Sequence, residues 1–205
     1  MNIMFSPPAS TRRGPVLALS LTLAAMLGTA ALPASAQTPT LRFDPGAAAL
    51  VPGQLLTLEI VLADRPDAVP VGFFDLDIVF NPAVLRFEGL APSSALGDIA
   101  AGQAVNASLP PDLLNGLLNL SVLSLLPDLA MQAASPVLGQ LRFGAIGLGD
   151  GEVSFGFTAL EGLDGTAIGH ERLDAAVSVV PEPGAAWLLA AGLLALAALR
   201  RTPTA

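Results

Sequence analysis

Apolar and polar residues alternate one by one through most of the middle of the chain. In Leu55–Leu62, Leu56, Leu58, Ile60 and Leu62 share one face while Thr57 and Glu59 share the other. In Val71–Phe80, Phe74, Leu76, Ile78 and Phe80 form the apolar set, and Asp75 and Asp77 point away. Gly151–Ala159 repeats the pattern with Val153, Phe155, Phe157 and Ala159 set against Glu152, Ser154 and Thr158. A period of two marks strands with one buried face. Shorter stretches of the same kind predict strands at Thr40–Asp44, Leu117–Leu123, Val137–Phe143 and Leu173–Val180. Turn chemistry separates them at Val51-Pro52-Gly53, Asn81-Pro82, Gly149-Asp150-Gly151 and Asp164-Gly165. Ala91–Gln103 is the least regular stretch, and Asp112 is placed to cap a short helical turn entered from Pro110 and Pro111. Many short strands with no long helices between them predict an all-β, antiparallel sandwich over residues 37–180.

The two ends break this pattern. Residues 1–36 carry Arg12 and Arg13, an apolar run from Val16 to Leu32, and the small residues Ala34-Ser35-Ala36. That three-part order is a secretory signal peptide, cleaved after Ala36 to leave Gln37 first. At the other end, Pro181-Glu182-Pro183 leads into an uncharged run from Gly184 to Leu199, followed by Arg200 and Arg201. As a helix this run would be about 24 Å long, so a transmembrane helix is expected with little length to spare. Trp187 would sit at the outer interface and the arginines on the cytoplasmic side.

Composition narrows the chemistry. The 205 residues include no cysteine and a single histidine, His170, and the nine basic residues are all arginine. Disulfides, thiolate nucleophiles, two-histidine metal sites and Schiff-base lysines are thereby excluded. The whole chain has a net charge of −8. Setting aside Arg12, Arg13, Arg200, Arg201 and Glu182 leaves five arginines against 16 carboxylates, a net of −11 for the middle region. Such a surface repels nucleic acid and anionic lipid. Residues 37–180 also hold no Trp and no Tyr. Sugar-binding surfaces favour exposed rings with a polar handle, which disfavours a carbohydrate module.

Asp75 and Asp77 are the most suggestive pair. Two residues apart on one strand, their side chains leave the same face about 6.6–6.8 Å apart. Because they alternate with Phe74 and Leu76, they are expected on the outer, solvated face, where nothing prepares a carboxylate for catalysis. They are the only calcium candidates; no metal or other cofactor is expected otherwise. His170 reads as a solvated loop residue. No nucleophile–base constellation is present, so the chain is expected not to be an enzyme.

Two resemblances give these observations a setting. Pro181-Glu182-Pro183, a short apolar helix and the cluster Arg200-Arg201, on a chain with a signal peptide, resemble the PEP-CTERM sorting signal of Gram-negative bacteria that make exopolysaccharide. The resemblance implies recognition of Pro181, Glu182, Pro183, Arg200 and Arg201 by an exosortase-type processing enzyme. It also implies a membrane intermediate, and a final place at the cell surface or in the extracellular matrix. The stretch Gly72–Phe87, with its Asn81-Pro82 turn between two strands, is similar to the cohesin pattern, and Leu138–Phe143, Gly151–Phe155 and Ala159–Ala167 resemble that domain's closing strands. This resemblance implies a jelly-roll sandwich that binds a protein partner through a sheet face or edge. The expected function is therefore an exported, non-enzymatic binding or structural module with an unidentified protein partner. A module binding matrix polysaccharide is the alternative.

Overall fold

The computed structural model describes residues 38–65 and 69–199. The expected cleavage residues Ala34, Ala36 and Gln37, the leader arginines, and Arg200 and Arg201 lie outside these residues. Among the described residues twelve strands run in order: β1 (Thr40–Asp44), β2 (Ala47–Leu50), β3 (Leu55–Ala63), β4 (Val71–Phe80), β5 (Leu85–Pro92), β6 (Ala104–Asn106), β7 (Leu117–Ser124), β8 (Val137–Ala145), β9 (Gly149–Asp150), β10 (Val153–Gly162), β11 (Glu171–Leu173) and β12 (Ala176–Val179). One helix, α1 (Pro183–Leu199), follows. The strands form a five-stranded sheet β11-β1-β3-β8-β5, a four-stranded sheet β10-β4-β7-β6 and a small sheet β2-β12-β9.

The two larger sheets face each other across the apolar residues that the alternation singles out. Leu41, Leu58, Ile60 and Phe143 of one sheet, and Phe74, Leu76, Ile78 and Leu120 of the other, are all buried in one core. The Phe43 ring of the five-stranded sheet stacks on Phe155 of the four-stranded sheet, with centroids 4.1 Å apart and planes 7° from parallel. Phe80 meets Phe143 across the same gap at 5.1 Å. Such ring pairs add to the gain from burying their area, so they tie the sheets at defined points.

Most strand pairs are antiparallel, as the alternation predicts, but the ends are not. β1 pairs with β11 in parallel, and β2 pairs with β12 in parallel. The single C-terminal strand predicted over Leu173–Val180 is thus two short strands serving two different sheets. Gly149 and Asp150, predicted as a turn, form β9 instead, paired with Ser178 and Val179. At Pro110–Leu114 no helical turn forms: Asp112 pairs with Leu117 across a tight turn whose Gly116 has φ +64°. The predicted turns at Val51–Gln54 and Asn81–Val84 do form, closed by backbone bonds of 3.1 Å each.

The C-terminal apolar run is helical, as expected, over 17 residues. Its length is about 25 Å at 1.5 Å per residue. Among the described residues no helix is long and apolar enough to cross a membrane, which corrects the expected transmembrane helix. At 17 residues the described helix is shorter than a hydrocarbon core of about 30 Å. Trp187, Leu188, Leu189, Leu193, Leu194 and Leu196 are all exposed, so apolar side chains point outward around the helix.

Candidate functional site

The outer face of the four-stranded sheet combines exposed apolar side chains with paired carboxylates. Its central columns are set by register: Phe73 lies opposite Leu123, Asp75 opposite Ser121, Asp77 opposite Asn119, and Val79 opposite Leu117. Val105 of β6 continues the first row beyond Leu123. Val79, Leu117, Leu123 and Val105 are exposed, while Phe73, Asp75 and Asp77 are half-buried. An apolar row therefore lies at each end of the face, with carboxylates between them.

Those carboxylates are held in place. The Asn119 Nδ2 amide donates to Asp75 Oδ1 at 2.8 Å and to Asp77 Oδ1 at 2.9 Å. Its own Oδ1 accepts from the Leu109 N–H at 3.0 Å, which fixes which way the amide points and ties the strand to the neighbouring loop. Asp75 and Asp77 thus lie on the outer face, half-buried where a solvated position is expected, and spaced by one shared donor. Among the described residues no three Asp, Glu or His side chains come together as a metal cluster. Asn119 itself falls in an alternating run with inward Leu118 and Leu120, so its outward position is legible in the sequence. Its meeting with Asp77 is not, because register is a long-range fact.

Phe157 is the main correction. Predicted inward with Phe155, it is 58% exposed, whereas Phe155 is 7% exposed. The cause is a β-bulge: Phe155 pairs with Ile78 and Thr158 with Leu76, so Gly156 and Phe157 together oppose Asp77. One extra residue reverses the alternation. Val153 and Phe155 point inward before the bulge, and Leu160 points inward after it. A Cβ built at Gly156 would lie 3.4 Å from Asp77 Cβ and 3.5 Å from Val79 Cγ2, which puts Gly156 on the outer face beside them. A glycine within a strand is the sequence signal that could have located the bulge.

Along its other edge β10 is closed by the segment 164–175. His170, expected in solvent, is half-buried: Nδ1 meets Ile168 O at 3.0 Å, and Nε2 meets the Thr158 hydroxyl at 2.9 Å. At the turns bounding the sheet, hydrogen bonds from the Asn115 side chain and backbone N–H hold the Asp112 carboxyl below its ordinary pKa. The Thr166 N–H and hydroxyl do the same for Asp164. Of the sorting residues, Pro181 and Glu182 are exposed directly after β12, and Pro183 opens α1. The last bond to the sandwich is Val180 N–H to Leu50 O, at 2.8 Å.

No protein-family model and no curated protein matches the chain. Solved structures do. The OlpA cohesin of Clostridium thermocellum, solved in complex with a dockerin, matches with a TM-score of 0.57 at 13% identity, covering 70% of this chain and 100% of that one. A non-cellulosomal cohesin of the archaeon Archaeoglobus fulgidus gives 0.55 at 12% identity, over 74% and 98% of the two chains. The sixth cohesin of Acetivibrio cellulolyticus scaffoldin B, also solved with a dockerin, gives 0.55 at 16% identity, over 70% and 100%. The fold is that of a cohesin. The cohesin-like domain here carries its acidic and apolar outer face on the four-stranded sheet.

Proposed function

We propose that the chain is an exported, non-catalytic protein-binding module whose partner docks on the outer face of the four-stranded sheet. The observation that carries this reading is the face itself: exposed Phe157, Leu123, Val79 and Leu117 surround the clamped pair Asp75 and Asp77. A half-buried charged centre inside an apolar surround suits a partner that offers basic side chains within an apolar patch. Glu161, level with Phe73 on β10, adds to the negative field. The dockerin complexes of the structural relatives support protein binding as the class of activity. In this reading an exosortase-type enzyme recognises Pro181, Glu182 and Pro183 together with Arg200 and Arg201, and delivers the domain to the cell surface or exopolysaccharide matrix of a Gram-negative bacterium. The motif begins one residue after the last sandwich hydrogen bond, so processing there leaves every strand in place.

A matrix polysaccharide is the second reading, favoured by a cavity of about 310 Å³ lined by Phe73, Leu123, Ser124 and Glu161. One experiment separates the two. The immobilised chain is exposed to the native secretome and, in parallel, to purified matrix polysaccharide. Protein docking requires that Asp75→Lys/Asp77→Lys and Phe157→Ala each lower capture of a protein at least tenfold, about 1.4 kcal/mol. Arg142→Glu, on the opposite sheet, should leave capture intact. Equal loss from both faces, or binding of polysaccharide alone, would remove the protein reading. Intact mass of the native protein tests the sorting part: the mature form should begin at Gln37 and lack Trp187.

A further inference from the structure

The sequence of β10 contains a conflict of phase. Phe155 and Leu160 are both buried, yet five positions separate them, and strict alternation would put them on opposite faces. One extra residue between them resolves the conflict, and two placements would serve. A bulge at Gly156–Phe157 turns Phe157 outward. A bulge at Thr158–Ala159 would turn Phe157 inward and still leave Leu160 in the core. The apolar ring alone favours the second placement, because it would leave water. The structure holds the first.

What distinguishes them lies on the free edge of β10. Backbone pairing with the following segment exists on both sides of the bulge, at Val153 with Ala175 and at Leu160 O with Ile168 N–H. Between these points it lapses, and alternate side chains of the extended segment 170–174 take its place. Asp174 Oδ1 accepts the Phe155 N–H at 2.8 Å. The Arg172 guanidinium donates to Gly156 O. His170 meets the Thr158 hydroxyl. Asp174 fixes the strand just before the bulge, and the other two contacts fit the backbone only as the first bulge shapes it, since the second would move Gly156 O and Thr158 away from their partners. β11 is anchored from behind by its parallel pairing with β1, so the segment is a fixed template and not a loop following β10.

We infer that Asp174, Arg172 and His170 are positioning residues that select the bulge at Gly156–Phe157 and so present the Phe157 ring on the docking face. The inference rests on the docking reading for its purpose, but its structural claim can be tested without a partner. In the full chain, Trp187→Phe removes the single tryptophan and Phe157→Trp places a reporter at the bulge. With the three residues intact, the indole should emit as a water-exposed ring and be quenched freely by acrylamide. In His170→Ala/Arg172→Ala/Asp174→Ala the bulge should shift, the emission move to shorter wavelength, and the quenching constant fall at least twofold. Arg172→Ala alone should move both readings the same way, which keeps the test open if the triple variant does not fold, and Arg172→Lys should largely restore them. Unchanged quenching in every folded variant would overturn the inference. A moved indole together with no protein capture by the unaltered chain would sink the docking reading and leave the positioning role standing.

Discussion

The two outer faces of the sandwich are built by the same alternation and carry different chemistry. On the five-stranded sheet, Arg42, Thr57, Arg86, Glu88, Gln140 and Arg142 are exposed polar residues of both signs. Arg86 and Glu88 pair at 2.7 Å across that surface. The face is ordinary solvated surface, where each charge has water or an opposite charge nearby. On the four-stranded sheet the central columns hold carboxylates, one amide and exposed apolar side chains, and four of the domain's five arginines, Arg42, Arg86, Arg142 and Arg172, belong to the other sheet instead. Separation of charge between two faces of one small domain gives it an oriented field, which steers association more than it sets final affinity. The contrast teaches that exposed apolar strand residues gather on one sheet, where Val79, Val105, Leu117, Leu123 and Phe157 accompany built polar geometry, whereas the five-stranded sheet exposes only Leu55 and Leu173 among its large apolar side chains.

The sharpest way to break the comparison is to exchange inside for outside within β10. Phe155→Ala empties the partner position of the stacked Phe43 ring and should cost about 3–5 kcal/mol, a large share of the stability of a domain this size. Phe157→Ala, two residues on, should change stability by less than about 0.5 kcal/mol. Thermal or denaturant unfolding of both variants decides it. Comparable losses would mean that Phe157 is a core residue and that the four-stranded face is not apolar by design.

A smaller effect is expected at the centre of the face. Asn119→Ala removes the donor shared by Asp75 and Asp77 and leaves the Leu109 N–H without its acceptor. Loss of hydrogen bonds of this kind costs about 0.5–1.5 kcal/mol each, with exposed groups at the low end because water replaces the amide. Asn119→Asp keeps the size but sets a third carboxylate against two, and should destabilise further, with the excess shrinking as salt is added. If Asn119→Asp equals Asn119→Ala at every ionic strength, the carboxylates do not act as a close pair.

Much of this arrangement is legible in the sequence, and the rest fails for nameable reasons. Strand β4 is predicted to the residue, and the outward placement of Asp75 and Asp77 follows from period two alone. The inward cluster around Phe43, Phe74, Phe80 and Phe143 is likewise a matter of phase. Phase also produces the error at Phe157, since a period carried through Gly156 cannot register an inserted residue. The parallel pairings of β11 and β12 escape because they join segments more than a hundred residues apart, about which local propensity is silent. His170 is misplaced for the same reason: its loop reads as polar until the edge of β10, with the Thr158 hydroxyl, is set beside it. Asn119, Arg172 and Asp174 carry no local signal of their roles, because their partners come from other strands.

The least effect, and the finest test of the difference between the faces, lies in acid. Asp112 and Asp164 sit in tight turns at the borders of the four-stranded sheet, and hydrogen bonds to each carboxylate favour its charged form. Both folded-state pKa values are lowered, so the unfolded chain binds these protons more readily than the folded one. Stability from each group is fully present above the unfolded carboxyl pKa of about 3.9 and is lost as pH falls through the folded value. Both groups are exposed, so solvent screening keeps the effect slight. It should be local first: below about pH 4 the amides of 112–117 and 164–166 should exchange faster relative to those of β1, β3 and β8, on the five-stranded side. Asp112→Asn/Asp164→Asn keeps an acceptor at each turn and removes the titration, so exchange at these turns relative to the strand amides should no longer change with pH across that range. A double variant that retains the full acid response would show that other carboxylates govern it, and that the borders of the two sheets do not differ in the way their turn chemistry requires.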